Sequence, residues 1–279
     1  MKAAGIAYER EAQGEPLLLL HGTGGSRRQW APVRPRLASH FELIAIDLPG
    51  HGESDAPPGD GDHTPIGYAA TLARFLDALD LAAVHIAGDS AGAWTALELA
   101  KLGRARSVTA IAPAGLWPRR DPWRCGLKLW GMYRLGRLTK PLTERALRSE
   151  AGRMRLLRGT VAKPLNLSAQ EARDLIETYN STPMFTKHLA QTRRARFRDG
   201  ASIQVPVTVA WGDAEQLLPR KARREDELPP HTETVTLADC GHIPFWDDPE
   251  AVARTILETT ARATNTAGST GSSREAGAL

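Results

Sequence analysis

The chain has 279 residues, 42% of them apolar and 24% charged, an ordinary globular composition that excludes a wholly disordered, collagenous or coiled-coil protein. A chain of this length buries roughly 70–75% of its unfolded surface, so its core needs no staples, and its two cysteines, Cys125 and Cys240, build neither a disulfide framework nor a zinc module. The formal charge of +4 is uneven: residues 117–198 hold nineteen Lys/Arg against six Asp/Glu, which leaves the remainder net acidic.

Taken in chain order, the first sixteen residues carry no apolar segment of the signal-peptide kind. No run of about 18 apolar residues follows anywhere, so no membrane span is expected and a cytoplasmic protein is the default. Residues 1–114 alternate short apolar runs with amphipathic stretches. GIAYERE is strand-like. Pro16–His21, Phe41–Asp47, Val84–Gly88 and Val108–Ala112 read as buried strands ended by Gly or turn residues. Thr64–Leu79 and Ala91–Gly103 have helical spacing, with Thr64 as N-cap and Pro65 at the first helical position.

Residues 115–200 change character. They are basic, rich in Trp and helical in pattern, with helices expected near 122–138, 141–150, 151–162, 168–180 and 183–197. Pro141, Pro164 and Pro183 punctuate them, and Ser168 with Glu171 forms a capping-box pattern. Residues 201–260 return to strand–helix alternation, with strands at Val205–Trp211 and Thr234–Leu237 and a closing helix at Pro249–Thr260. Residues 261–279 are rich in Gly, Ser, Thr and Ala and read as a disordered tail. Together these predict an α/β fold: a mostly parallel central sheet of seven or eight strands flanked by helices. Residues 1–114 and 201–260 form the core, and 115–200 form a helical cap over the sheet's carboxyl edge.

Gly88-Asp89-Ser90-Ala91-Gly92 is G-x-S-x-G placed between a strand and a helix. Small residues at 88, 91 and 92 allow a sharp turn that lifts Ser90 Oγ clear of the sheet. The plainer alternative is a Gly-rich connection. A serine hydroxyl is a poor nucleophile at neutral pH and needs a base. His242, on the Gly-containing loop after the last strand, can reach back over the sheet edge to supply one. His21 and His51 sit in Gly turns and read as hydrogen-bonded structural residues, His85 lies in a buried strand, and His40, His63, His188 and His231 have no partner motif. A carboxylate is needed to fix the base's tautomer. Two follow the strand ending at Trp211: Asp213 and Glu215. The glycines of His21-Gly22-Thr23-Gly24-Gly25-Ser26 let backbone N–H groups face a developing oxyanion, with Thr23 and Ala91 as donors. No metal site, phosphate loop or nucleotide fingerprint is legible, and no cofactor is expected.

The motifs HGTGGS, DLPGHGES, GDSAG, WGDAEQLLP and CGHIPFWDDPE, in this order, resemble the α/β-hydrolase superfamily over about residues 5–260. The resemblance implies a Ser–acid–His triad with the acid at Glu215, aligned on Trp211, Gly212 and Pro219, and Asp213 as the alternative. It implies a cofactor-free serine hydrolase acting on an ester-type bond of a small hydrophobic or partly anionic substrate. Related chemistries on the same fold are C–C bond hydrolysis, lactone opening and cofactor-free lyase or oxygenase activity. A non-catalytic ligand-binding homologue is the reading from another class. Serine at the elbow argues against the aspartate nucleophile of haloalkane dehalogenases and epoxide hydrolases. So few residues precede GIAYERE that the family's first strand is expected to be missing, giving seven strands.

Trp117, Trp123, Trp130, Met184 and Phe185 are candidate substrate-binding residues, either lining an apolar pocket or forming the cap's own core. The Arg-rich cap reads either as a site for an anionic substrate, an acidic partner or a membrane surface, or as solvated helix faces. No nucleic-acid motif accompanies the charge. A small-molecule substrate is the expected partner, and no stable membrane anchor is expected. The sequence leaves the oligomeric state open.

Overall fold

The structure is a computed structural model that describes residues 1–59, 61–118, 122–218 and 220–272. Strands β1 (Lys2–Ala3), β2 (Ile6–Glu11), β3 (Glu15–Leu20), β4 (Phe41–Ile46), β5 (Val84–Asp89), β6 (Ala105–Ile111), β7 (Val207–Gly212) and β8 (Glu233–Leu237) form one sheet. Their order is β1-β2-β4-β3-β5-β6-β7-β8. The strands from β3 to β8 are parallel, and β2 runs antiparallel to both β1 and β4. The central strands are covered on both faces, which is why they read as unbroken apolar runs: Leu17, Leu18, Leu19 and Leu20 have no exposed surface.

The sheet has eight strands, which corrects the expectation of seven. β1 is only two residues long and carries no hydrophobic pattern to read. A two-residue turn with positive φ at Ala4 (46°) and Gly5 (80°) closes its hairpin onto β2, pairing Ala3 with Ile6. Such a turn matches the twist of the strands it joins.

Helices α1 (Arg34–Leu37), α2 (Pro65–Asp77), α3 (Ala91–Lys101) and α9 (Pro249–Ser272) lie between or after the strands. The Thr64 side chain accepts from the Gly67 N–H, capping α2. Helices α4 (Pro122–Leu138), α5 (Lys140–Ala146), α6 (Glu150–Leu157), α7 (Ala169–Ser181) and α8 (Phe185–Thr192) all fall between β6 and β7. The Ser168–Glu171 capping box opens α7. Helix α9 continues to Ser272, beyond the end expected at Thr260, so the run read as disordered begins as helix. Thr259 bonds Thr208 on β7 at 2.6 Å, and Arg262 reaches Thr208 Oγ1 at 2.5 Å and Glu233 on β8 at 2.5 Å. The Arg262 contacts hold the first turn beyond Thr260 against the sheet. Residues 273–279 lie outside the described residues.

Because β3, β5, β7 and β8 are parallel, the loops that follow them all emerge at one edge. Those loops carry Thr23, Ser90, Glu215 and His242. Parallel sheets place ligands at this edge, outside the carboxyl ends of the strands.

Candidate active site

Ser90 joins β5 to α3 with φ 53° and ψ −111°, a conformation costly for a residue with a side chain. Its surroundings over-determine it. The Ser90 N–H donates to Ile111 O at 2.9 Å, and its carbonyl accepts from Trp94 N (3.1 Å) and Ala114 N (3.0 Å). The turn also depends on two glycines. A Cβ at Gly88 would stand 2.5 Å from the Gly92 carbonyl, and one at Gly92 would stand 2.5 Å from the carbonyl oxygens of Leu20 and His21. Ser90 is left half-buried, lining a cavity of about 200 Å³ that His242 also lines.

His242 is buried, and its Nδ1 donates to Glu215 Oε2 at 2.5 Å. Glu215 is held from its other oxygen, where Oε1 accepts from the N–H groups of Leu217 (2.5 Å) and Leu218 (3.0 Å). Burial alone would raise the Glu215 carboxyl. The adjacent imidazolium charge and these hydrogen bonds outweigh it and bring the pKa below its ordinary value. Burial likewise opposes the His242 cation, yet the Glu215 carboxylate raises its pKa overall. Asp213, the alternative acid, is exposed, with its N–H spent on Leu237 O. Glu215 is therefore the carboxylate that meets His242. Glu215 reaches it because the backbone after β7 takes two more residues to curl under the histidine.

The His242 loop is braced by the inserted helices. Asp247 accepts from Gly241 N at 2.8 Å, Ala162 N at 3.0 Å and Lys163 N at 2.7 Å, and Ile243 N donates to Thr160 O at 2.9 Å. Cys240, next to this loop, is buried, and burial pushes its thiol up to about 12, so it acts as a small apolar residue.

Across the cavity lies the turn after β3. Gly25 N closes it onto Gly22 O at 3.0 Å. His21 fixes it from below: Leu48 N donates to His21 Nε2 at 2.9 Å, so the ring proton sits on Nδ1 and donates to Gly22 O at 2.7 Å. His21 is thus hydrogen-bonded within the turn, as its position suggested, and His51 Nδ1 lies 3.2 Å from the Pro49 carbonyl oxygen. Thr23 lines the cavity on this side. Ala91 is the first residue of α3, so its N–H has no acceptor within the helix.

Asp89, the residue before Ser90, is a group the sequence reading did not weigh. It is fully buried and lines the same cavity. Gln29 Nε2 donates to its Oδ2 at 3.2 Å, while Oδ1 has no hydrogen-bond partner among the described residues. Burial, opposed by the His242 cation and the Gln29 hydrogen bond and reinforced by the Glu215 charge, pushes its pKa up to about 7.

The cavity wall comes largely from the insertion: Leu129, Met132 and Leu135 of α4, Leu156 of α6, and Ile176 and Tyr179 of α7. Of the predicted lining residues, Trp117 reaches the site. It flanks a small recess on the other side of Ser90, donates Nε1 to Ala195 O at 3.2 Å and packs edge-on against Trp94. Phe185 does not line the cavity, because it stacks on Tyr133 at 4.4 Å inside the helical layer. Met184 packs against Gly50 instead. Trp130 is 45% exposed on the outer face of α4, with Arg134 over its ring. The side chain of Trp123 lies outside the described residues. Phe185 thus takes the alternative role, in the core of the helical layer. On α4 apolar residues occupy both the cavity side and the exposed side, so sequence could not tell the stripe of Leu129 and Met132 from Trp130.

The basic character of residues 117–198 falls partly on a separate surface groove between α4, α5 and α7, where Lys140 pairs with Glu177 at 3.0 Å and Glu144 at 3.8 Å. Among the described residues no helix is long and apolar enough to cross a membrane.

Residues 17–255 match the model of the alpha/beta hydrolase family. The chain is 30% identical over 254 residues to the dihydrolipoyllysine-residue acetyltransferase component of the acetoin cleaving system of Pseudomonas putida, covering 88% of this chain and 63% of that protein. The chain thus spans a little under two thirds of that relative's length. It is 28% identical over 254 residues to the pimeloyl-[acyl-carrier protein] methyl ester esterase of Klebsiella pneumoniae (strain 342), covering 86% of this chain and 91% of the relative. Among solved structures, the enol-lactonase of Burkholderia xenovorans LB400 superposes with a TM-score of 0.71 at 21% identity, covering 92% of this chain and 96% of that one, a likeness of fold. Sheet order, the strained serine turn and the family match agree: the chain belongs to the alpha/beta hydrolase family.

Proposed function

We propose that the protein is a serine hydrolase that cleaves an ester-type bond through an acyl-enzyme, with Ser90 as nucleophile, His242 as base and Glu215 as the acid that orients it. The observation that carries this reading is the Glu215–His242 hydrogen bond at the edge of a cavity that also holds Ser90. With the ring proton held on Nδ1 by Glu215, His242 Nε2 is free to take the Ser90 proton as Oγ attacks the carbonyl carbon. The Thr23 and Ala91 N–H groups receive the oxyanion. His242 then protonates the leaving alcohol and activates the water that releases the acid. No cofactor enters this sequence.

The apolar wall of α4, α6 and α7 suits an acyl group without charge near the ester. A volume of about 200 Å³ is below the usual range for ligand pockets and favours short or medium chains. The methyl ester esterase among the relatives agrees with an ester substrate.

Hydrolysis of p-nitrophenyl esters of short and long chain length, with wild type and Ser90→Ala, tests the reading. Ser90→Ala is expected to lower turnover on the order of 10⁵–10⁶-fold, and a fluorophosphonate probe is expected to label Ser90. A wild type that neither turns over, nor releases a nitrophenol burst, nor labels would overturn it, leaving a binding protein or a lyase on this fold.

A further inference from the structure

His188 stands on α8, in the insertion, and is only 1% exposed. Its ring is held from several sides. Nδ1 lies 2.6 Å from the His63 carbonyl oxygen and 3.4 Å from Thr192 Oγ1. Tyr68 stacks on its face at 5.4 Å with the planes 8° apart, and His51 meets it edge-on at 5.8 Å. A carbonyl oxygen only accepts, so the ring carries its proton on Nδ1. Burial keeps the ring neutral, with its pKa pushed down to about 3.

Nε2 is then an acceptor, and it lies 3.0 Å from Thr23 Oγ1. The Thr23 hydroxyl must be the donor. Its single proton is committed to a helix of the insertion and is not offered to the cavity. What Thr23 has left for an oxyanion is its main-chain N–H. The next residue of the same turn is also held by the insertion. Gly24 has φ +75°, and a Cβ there would stand 2.6 Å from the Tyr179 ring of α7. Tyr179 is itself anchored by its hydroxyl, which donates to Leu129 O of α4 at 2.8 Å.

We propose that His188 is a positioning residue for the oxyanion turn: it locks the Thr23 side chain, and with it the direction of the Thr23 N–H, so that the turn is ordered for catalysis only when the inserted helices are seated on the core. The proposal rests on the acyl-transfer reading given above. It makes the insertion part of the catalytic geometry as well as a wall for the substrate.

The test uses the full chain and p-nitrophenyl butyrate. Thr23→Val removes the hydroxyl and keeps the amide and shape, and His188→Phe keeps a ring against Tyr68 while removing the Nε2 acceptor and, with it, the Nδ1–H bond to His63 O. Loss of one oxyanion donor costs about 10²–10³ in kcat, and a misplacement of about 1 Å costs about 10²-fold. Each variant is therefore expected to lose about 10–100-fold in kcat with little change in KM. The double variant is expected to be no worse than the worse single one, because the Thr23–His188 bond is already lost in either. Affinity for an alkylboronic acid, which forms a tetrahedral adduct on the serine, is expected to fall with kcat. Thr23→Ser, which keeps the hydroxyl, is expected to recover most of the loss. Wild-type kcat and boronate affinity in Thr23→Val would overturn the proposal, and so would losses in the two single variants that multiply in the double. A wild type that fails to hydrolyse the ester and fails to react with a fluorophosphonate would instead remove the serine-hydrolase reading itself, and the role of His188 with it.

Discussion

Asp89 gives a quantitative test of the electrostatics beneath Ser90. The carboxyl is fully buried, one oxygen has no partner among the described residues, and its pKa is pushed from 3.8 up to about 7. The folded protein therefore keeps this proton up to about pH 7, whereas the unfolded chain releases it near pH 4. Between those values the unfolded state is favoured progressively as pH rises, at about 1.4 kcal/mol per pH unit. Above pH 7 the cost levels off near 4 kcal/mol. Asn in place of Asp has the same shape and no titration. The stability gained by Asp89→Asn is thus expected to grow by about 2 kcal/mol between pH 5.5 and pH 8. Urea unfolding of both proteins at the two pH values measures this directly. A difference between the two proteins that does not change with pH would refute the buried, protonated carboxyl. The neutral form also suits the proposed acyl transfer, in which an ionised Asp89 would add a negative charge to the cavity where the oxyanion develops.

Glu215→Gln is expected to reduce turnover by about 10³–10⁴-fold, as loss of the orienting acid does in related triads, while Asp213→Asn should leave it nearly unchanged; ester kinetics of the pair would reverse if the exposed carboxylate were the acid. The buried imidazoles predict acid sensitivity. Burial lowers His21 to about 4, and His51 and His188 to about 3, so the stability they support is complete above pH 6.5 and is lost as pH falls toward 4. At pH 5 each costs about 2 kcal/mol, close to 6 in all. Asp89 returns about half of that and the His242 cation, favoured by Glu215, returns more, so a net fall in the urea midpoint from pH 7.5 to 5 is expected. A midpoint that rises would show these rings to be solvated. Gly92→Ala would press a methyl onto the carbonyls of Leu20 and His21, and loss of soluble folded protein, or of more than about 3 kcal/mol on unfolding, is expected; a stable, active Gly92→Ala protein would refute the close approach.

Much of this protein was legible in its sequence, for local reasons. Buried parallel strands need unbroken apolar runs, so Pro16–His21 and Val84–Gly88 announced β3 and β5. A strained serine turn needs missing side chains around it, so Gly88 and Gly92 announced Ser90. His242 followed from its place after the last strand. Other features depended on the third dimension. Asp213 and Glu215 differ by two residues in one loop, and only the path of that loop decides which of them meets His242. The inner and outer faces of α4 are both apolar, so Leu129 and Met132 could not be told from Trp130 until α7 was packed against them. The strand β1 is too short to carry a pattern and exists because a turn folds it onto β2. Asp89 and His188 carry no local mark at all. One is set apart by burial that leaves an oxygen without a partner among the described residues, the other by a contact across 165 residues of chain with Thr23. Sequence determines what a residue can do within its own turn of helix or strand. Desolvation and long-range hydrogen bonds, which set proton positions and pKa values, exist only once distant segments close around a group.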